Sequence, residues 1–192
     1  MLSENAPKEI PSDISEHRKN KIVSARSDDA KRVLTAAAEV LKAGFCAFGV
    51  EEKNVSYGVF ENGKPYALSH PDIHFSLSHS ENMAVAVFSD SPVGVDCERA
   101  DREVPTELVR RFFSDEEVEN YKNDPLLLWV IGESISKLSG EGVFARIKRT
   151  RVPLFDKDTA VSDGAFFEKL IIENNLIIVV SEKQEKAEII SV

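Results

Sequence analysis

Residues 74–98 read HFSLSHSENMAVAVFSDSPVGVDCE, and this stretch decides the fold. It holds three short runs, His74 to Ser78, Met83 to Phe88 and Val93 to Glu98. Between them lie the turn-forming residues Ser80-Glu81-Asn82 and Ser89-Asp90-Ser91-Pro92. In the first run Phe75 and Leu77 alternate with Ser76 and Ser78, the period of a half-buried strand. In the last, Val95 and Cys97 alternate with Asp96 and Glu98. The apolar pair therefore points into a core, and the two carboxylates share the opposite face.

Upstream, Val55 to Phe60 reads as another strand, followed by the turn Glu61-Asn62-Gly63-Lys64-Pro65. Before it, Val33, Leu34, Ala37, Val40 and Leu41 recur at helical spacing. They predict a helix capped by Asp28 or Asp29, running to about Ala43 and stopped by Gly44. Residues 1–21 are polar, hold Pro7 and Pro11, and read as a flexible or loosely docked arm.

Downstream, the charged segment Asp101 to Pro105 marks an internal boundary. Thr106 to Phe113 and Ser114 to Tyr121 read as short helices, the second opened by a Ser114/Glu117 capping box. Pro125 starts a longer helix to Leu138, closed by Ser139-Gly140. Strands are expected at Val143 to Thr150, Phe166 to Ile172 and Leu176 to Ser181, with Ala187 to Val192 as a further one. Helices grouped with antiparallel strands make the class α+β. The element order predicts two similar halves, 1–100 and 101–192, related by a pseudo-two-fold axis. Each half would be a helix packed on a small, mostly antiparallel sheet. No sequence repeat links them.

The chain has 192 residues, a net charge of -9 and a pI near 5.0. An acidic surface of this kind repels nucleic acid and anionic lipid. Cys46 and Cys97 form no CxxC pair, so neither a zinc knuckle nor a disulfide framework is indicated. Free thiols, an N-terminus without an apolar h-region and no run long enough to span a bilayer predict a cytoplasmic protein.

Three segments carry chemistry. Asp96 and Glu98 present hard oxygen ligands that suit Mg²⁺ beside substrate phosphates. Taken alone, they read better as an acidic strand end, because such pairs are common. Trp129, Glu133 and Lys137 form one stripe on the predicted helix. Glu133 and Lys137 could be a surface ion pair, or a base and a phosphate-stabilising cation. His79 ends a strand with a polar tip, where it could meet a phosphate or a ribose, or only solvent.

Together the segments Gly63-Lys64-Pro65, Phe75-Ser76-Leu77-Ser78-His79-Ser80, Val93-Gly94-Val95-Asp96-Cys97-Glu98 and Trp129 to Lys137 resemble the 4'-phosphopantetheinyl transferase superfamily. The likeness is to its larger, two-halved type, which primes peptide and polyketide synthetase carriers. Order and spacing agree across roughly Asp28 to Gly142. Two positions depart from the family's helix pattern: Gly132 stands for a lysine and Ser134 for an alanine.

The resemblance implies an enzyme that moves the phosphopantetheine arm of coenzyme A onto a serine of an acyl or peptidyl carrier protein, releasing 3',5'-ADP. It implies Mg²⁺ held by Asp96, Glu98 and Glu133, with Glu133 as base and Lys137 stabilising phosphate charge. It places Lys64, Ser78 and His79 near the nucleotide, with Arg26 and Arg32 (or Lys31) as further phosphate contacts, in a site between the halves of a monomer. Arg146, Lys148, Arg149 and Arg151, or Arg110 and Arg111, would receive an acidic carrier. The alternative is a degenerate member that binds coenzyme A or a carrier without efficient catalysis, and Gly132 favours it.

Overall fold

A computed structural model describes residues 10–60, 63–139 and 151–192. In chain order these form α1 (Glu16–Val23), α2 (Asp28–Ala47), a 3-10 turn at Glu52–Asn54, β1 (Tyr57–Val59), β2 (Pro65–Ala67), β3 (His74–His79), β4 (Ala84–Ser89) and β5 (Val93–Arg99). There follow α3 (Thr106–Val109), α4 (Asp115–Asn120), α5 (Pro125–Ser139), β6 (Thr159–Ser162), β7 (Ala165–Ile172) and β8 (Asn175–Ser181). All the strand pairings are antiparallel: β1 with β2, β3 with β4, and a four-stranded sheet in the order β5-β8-β7-β6. The class is α+β, as expected.

The three strands of residues 74–98 form as read. β5 lies before the expected boundary at residue 100, yet it pairs along its length with β8, Asp96 opposite Ile178 and Glu98 opposite Leu176. Alternation along β5 sends Val95 and Cys97, both 1% exposed, into a core shared with Met83 and Ile177. The opposite face of β5 carries Gly94, Asp96 and Glu98 beneath α5.

Several expectations need correction. The arm is docked from Ile14 onward: α1 buries Ile22 against Ala38 of α2, and the backbone and hydroxyl of Ser15 donate to Glu52 at 2.6 and 2.8 Å. Ser27, rather than Asp28 or Asp29, caps α2, accepting from the Ala30 amide. Gly44 does not end α2 but lies inside it, because the Phe88 ring occupies the space a Cβ would need. Residues 187–192 form no strand. The edge strand is β6, which the sequence reading missed. It enters β7 through Asp163-Gly164, both at positive φ, the backbone a tight hairpin requires. The strand expected at Val143 to Thr150 lies outside the described residues. No helix among the described residues is long and apolar enough to cross a membrane.

Candidate active site

The site is set by how closely α5 approaches β5. A Cβ on Gly94 would overlap the Ser134 carbonyl and fall 2.6 Å from the Leu138 amide nitrogen, so only glycine lets strand and helix meet backbone to backbone. Ser134, where the family pattern has alanine, donates to the carbonyls of Val130 and Ile178 at 2.8 and 2.9 Å and so ties α5 to β8. This contact brings residues far apart in sequence into one crevice.

Lys137 reaches across it. Its ammonium lies 2.6 Å from Asp96 Oδ1 and 2.9 Å from Ser78 Oγ, and Ser78 donates to the same Oδ1 at 2.8 Å. Asp96 is only 5% exposed, and its Oδ2 has no hydrogen-bond partner. A buried carboxylate oxygen without a donor is costly unless a ligand completes it.

Glu133 lies one turn before Lys137, whose ammonium is turned instead to Asp96 and Ser78. Burial, and then the charge of Asp96, push the Glu133 carboxyl above its usual range. Burial also raises Glu98, whose carboxylate is turned to Arg102. In both, burial is the largest cause and outweighs the attraction of Lys137 and Arg102. His79 stands at the end of β3, its ring held below the usual range by desolvation and by Lys137.

Among the described residues, no three His, Cys, Asp or Glu side chains converge closely enough to form a ready-made metal cage. The donor set nonetheless fits Mg²⁺, which usually takes one or two carboxylates and fills its octahedron with water and substrate phosphates. The orphaned Asp96 Oδ2 is the oxygen positioned for this.

Lys64 donates to the carbonyls of Val93 and Leu138 at 3.1 and 3.4 Å. Arg26 is exposed between α1 and α2, and Arg32 pairs with Asp29 on the outer face of α2. Gly132 is buried within α5, its carbonyl accepting from Ser136 at 2.9 Å. Arg110 and Arg111 lie at the end of α3, both exposed. Of the other basic cluster, Arg146, Lys148 and Arg149 lie outside the described residues.

Arg18 was missed. It is 4% exposed, lies 4.7 Å over the Tyr57 ring, and leaves Nε and Nη2 without partners. Desolvation and Arg18 together lower Lys21. The spacing of Ile14, Arg18 and Ile22 on a single stripe was the available signal.

Comparison with known proteins bears on the family. A family model described as the 4'-phosphopantetheinyl transferase superfamily matches residues 92–175, which take in β5, α3 to α5, β6 and β7. The chain is 31% identical over 137 residues to a 4'-phosphopantetheinyl transferase of Bacillus subtilis, covering 67% of this chain and 61% of that protein. The chain belongs to the 4'-phosphopantetheinyl transferase superfamily. Two further relatives of that superfamily match. Identity is 27% over 128 residues with the transferase Sfp of Bacillus subtilis strain 168, covering 60% of this chain and 55% of the relative. It is 31% over 127 residues with the transferase gsp of Aneurinibacillus migulanus, covering 62% and 52%. The matched region thus spans between about half and three fifths of these curated relatives.

Proposed function

We propose that the protein transfers the 4'-phosphopantetheine group of coenzyme A to a serine of an acyl or peptidyl carrier protein, releasing 3',5'-ADP. The observation that carries this reading is the buried, unpartnered Asp96 Oδ2 beside Lys137, with Asp96 close enough to both Glu98 and Glu133 for its charge to favour their protonation. Such a charge pattern is completed by a divalent cation together with phosphates.

Asp96, Glu98 and Glu133 are the residues that would hold Mg²⁺. Bound there, the ion would neutralise pyrophosphate charge and favour departure of the nucleotide. Lys137 uses two of its three N–H donors on Asp96 and Ser78, which leaves one for a phosphate oxygen. Glu133, its basicity raised by burial, takes the proton of the carrier serine as that oxygen bonds to phosphorus and the bond to the departing 3',5'-ADP breaks. Ser78 and His79 lie at the polar end of β3, where they can meet the nucleotide. Arg26 and Arg32 remain candidates for its outer phosphate.

The two halves, 1–100 and 101–192, would meet at the β5–β8 pairing, with α2 on β3 and β4 and α5 on β5 and β8. We read the protein as a cytoplasmic monomer that binds neither nucleic acid nor membrane. Gly132, and carboxylates already turned to Arg102 and Lys137, favour a second reading: a member that binds coenzyme A or a carrier but turns over poorly.

Incubation with coenzyme A, Mg²⁺ and an apo-carrier, followed by weighing of the carrier, tests the proposal. A gain of one phosphopantetheine mass that requires Mg²⁺ is expected. Binding of coenzyme A without any gain of mass would establish the second reading.

A further inference from the structure

Lys64 comes from the β1–β2 hairpin, outside both elements that carry the carboxylates. Its ammonium donates to the Val93 carbonyl at 3.1 Å and to the Leu138 carbonyl at 3.4 Å. Val93 opens β5, the strand of Asp96 and Glu98. Leu138 directly follows Lys137 and lies in the last described turn of α5. Both acceptors are deep in the molecule, Val93 at 1% and Leu138 at 3% exposure. Lys64 therefore spans the crevice at the level where Gly94 and Leu138 touch, beside the bridge made by Lys137 and Asp96. A cation at a helix C-terminus also opposes the helix dipole.

We propose that Lys64 is a positioning residue: it fixes the separation of β5 from α5, and through it the placing of Asp96 and Lys137, without touching the substrate. The inference rests on the transferase reading for its kinetic consequence, but not for its structural one. Two of the three ammonium donors are committed to backbone carbonyls, which leaves Lys64 poorly disposed to bind a mobile phosphate. Burial, and then the charge of Lys137, bring its pKa down to about 8. Such desolvation is tolerated where geometry needs the residue, and it would weaken a residue whose task was to carry charge to a phosphate.

Lys64→Met keeps the aliphatic stem and removes the donors; Lys64→Arg keeps donors. Three readouts separate the roles: affinity for coenzyme A by calorimetry, turnover to an apo-carrier, and amide exchange over 93–98 and 134–138. For Lys64→Met, turnover should fall about tenfold or more with coenzyme A affinity held within about threefold, because the loss is of orientation rather than binding. Exchange should quicken in both segments, and Lys64→Arg should recover most of the turnover. Affinity weakened about tenfold with turnover retained would make Lys64 a nucleotide contact and overturn the proposal. Unchanged exchange in both segments would overturn it as well. If the wild-type protein neither binds coenzyme A nor modifies a carrier, the transferase reading fails, and the exchange comparison still decides the brace.

Discussion

The ammonium of Lys137 lies 2.6 Å from one oxygen of Asp96, and the other oxygen of that carboxylate is buried without a partner. Asp96 thus serves two roles at once, holding a cation of the protein and offering a ligand position. Asp96→Asn keeps the volume and a hydrogen bond from Ser78 but removes the charge. Transfer should fall by about 100-fold or more, and stability by ~1–3 kcal/mol, since a half-buried ammonium is left facing an amide. Chemical denaturation and carrier modification measure the two effects. Wild-type rates at matched stability would remove Asp96 from the chemistry.

Gly94→Ala and Gly44→Ala form a contrasting pair. At Gly94 the added methyl meets backbone of α5, which cannot move without shifting the helix that carries Glu133 and Lys137. At Gly44 it meets the Phe88 side chain, and alanine also raises helix propensity by about 1 kcal/mol. Gly94→Ala should lower the melting temperature far more, at an overpacking cost of ~3 kcal/mol or above, and should abolish transfer. Equal melting temperatures would mean that α5 does not seat on Gly94 as described.

How much of this was legible in the sequence depends on whether a residue finds its partners nearby. The alternation that buries Val95 and Cys97 and leaves Asp96 on the other face is local, and it was readable. So was the stripe of Trp129, Glu133 and Lys137. The partner of Lys137 was not, because i,i+4 spacing offered Glu133 while the fold supplied Asp96 from β5. Gly44 was misread as a helix stop because Phe88, which fills its missing side chain, arrives from β4. Arg18 went unnoticed because the ring it covers, Tyr57, lies beyond α2. The Asp163-Gly164 turn was visible in the sequence, and β6 could have been found from it.

Lys64 makes a pH prediction. Its folded-state pKa is lowered to about 8 from the ordinary lysine value of 10.5. Between those values the unfolded chain binds more protons at this group than the folded one, so this group's contribution to stability rises with pH. Below pH 8 the charged lysine is a burden. The stability of wild-type protein relative to Lys64→Met should therefore increase between pH 8 and 10.5, by up to ~3 kcal/mol if the group is fully desolvated and less with residual hydration. Parallel curves for the two proteins across that window would show that Lys64 is not desolvated.

Glu133 should separate activity from stability. Its carboxyl is raised first by burial and then by Asp96, so its charged form is disfavoured in the folded state. For a raised carboxyl, the favourable contribution is present below the unfolded pKa and lost as pH rises through the folded one. At neutral pH the charge of Glu133 therefore costs stability, and the nearby charge of Lys137 offsets that cost only in part. Glu133→Gln keeps the shape and removes that cost. In the presence of a chelator, the variant should be as stable as wild type or slightly more so at pH 7, with the advantage vanishing toward pH 4. Transfer should nonetheless drop by about 100-fold or more, the scale of losing a general base. An exposed i,i+4 pair predicts the opposite pattern: a stability loss of about 0.3–0.5 kcal/mol with a rate that merely follows it. A variant that melts earlier and still modifies the carrier at near wild-type rate would return Glu133 to the helix surface, and the base would have to be sought elsewhere in the crevice.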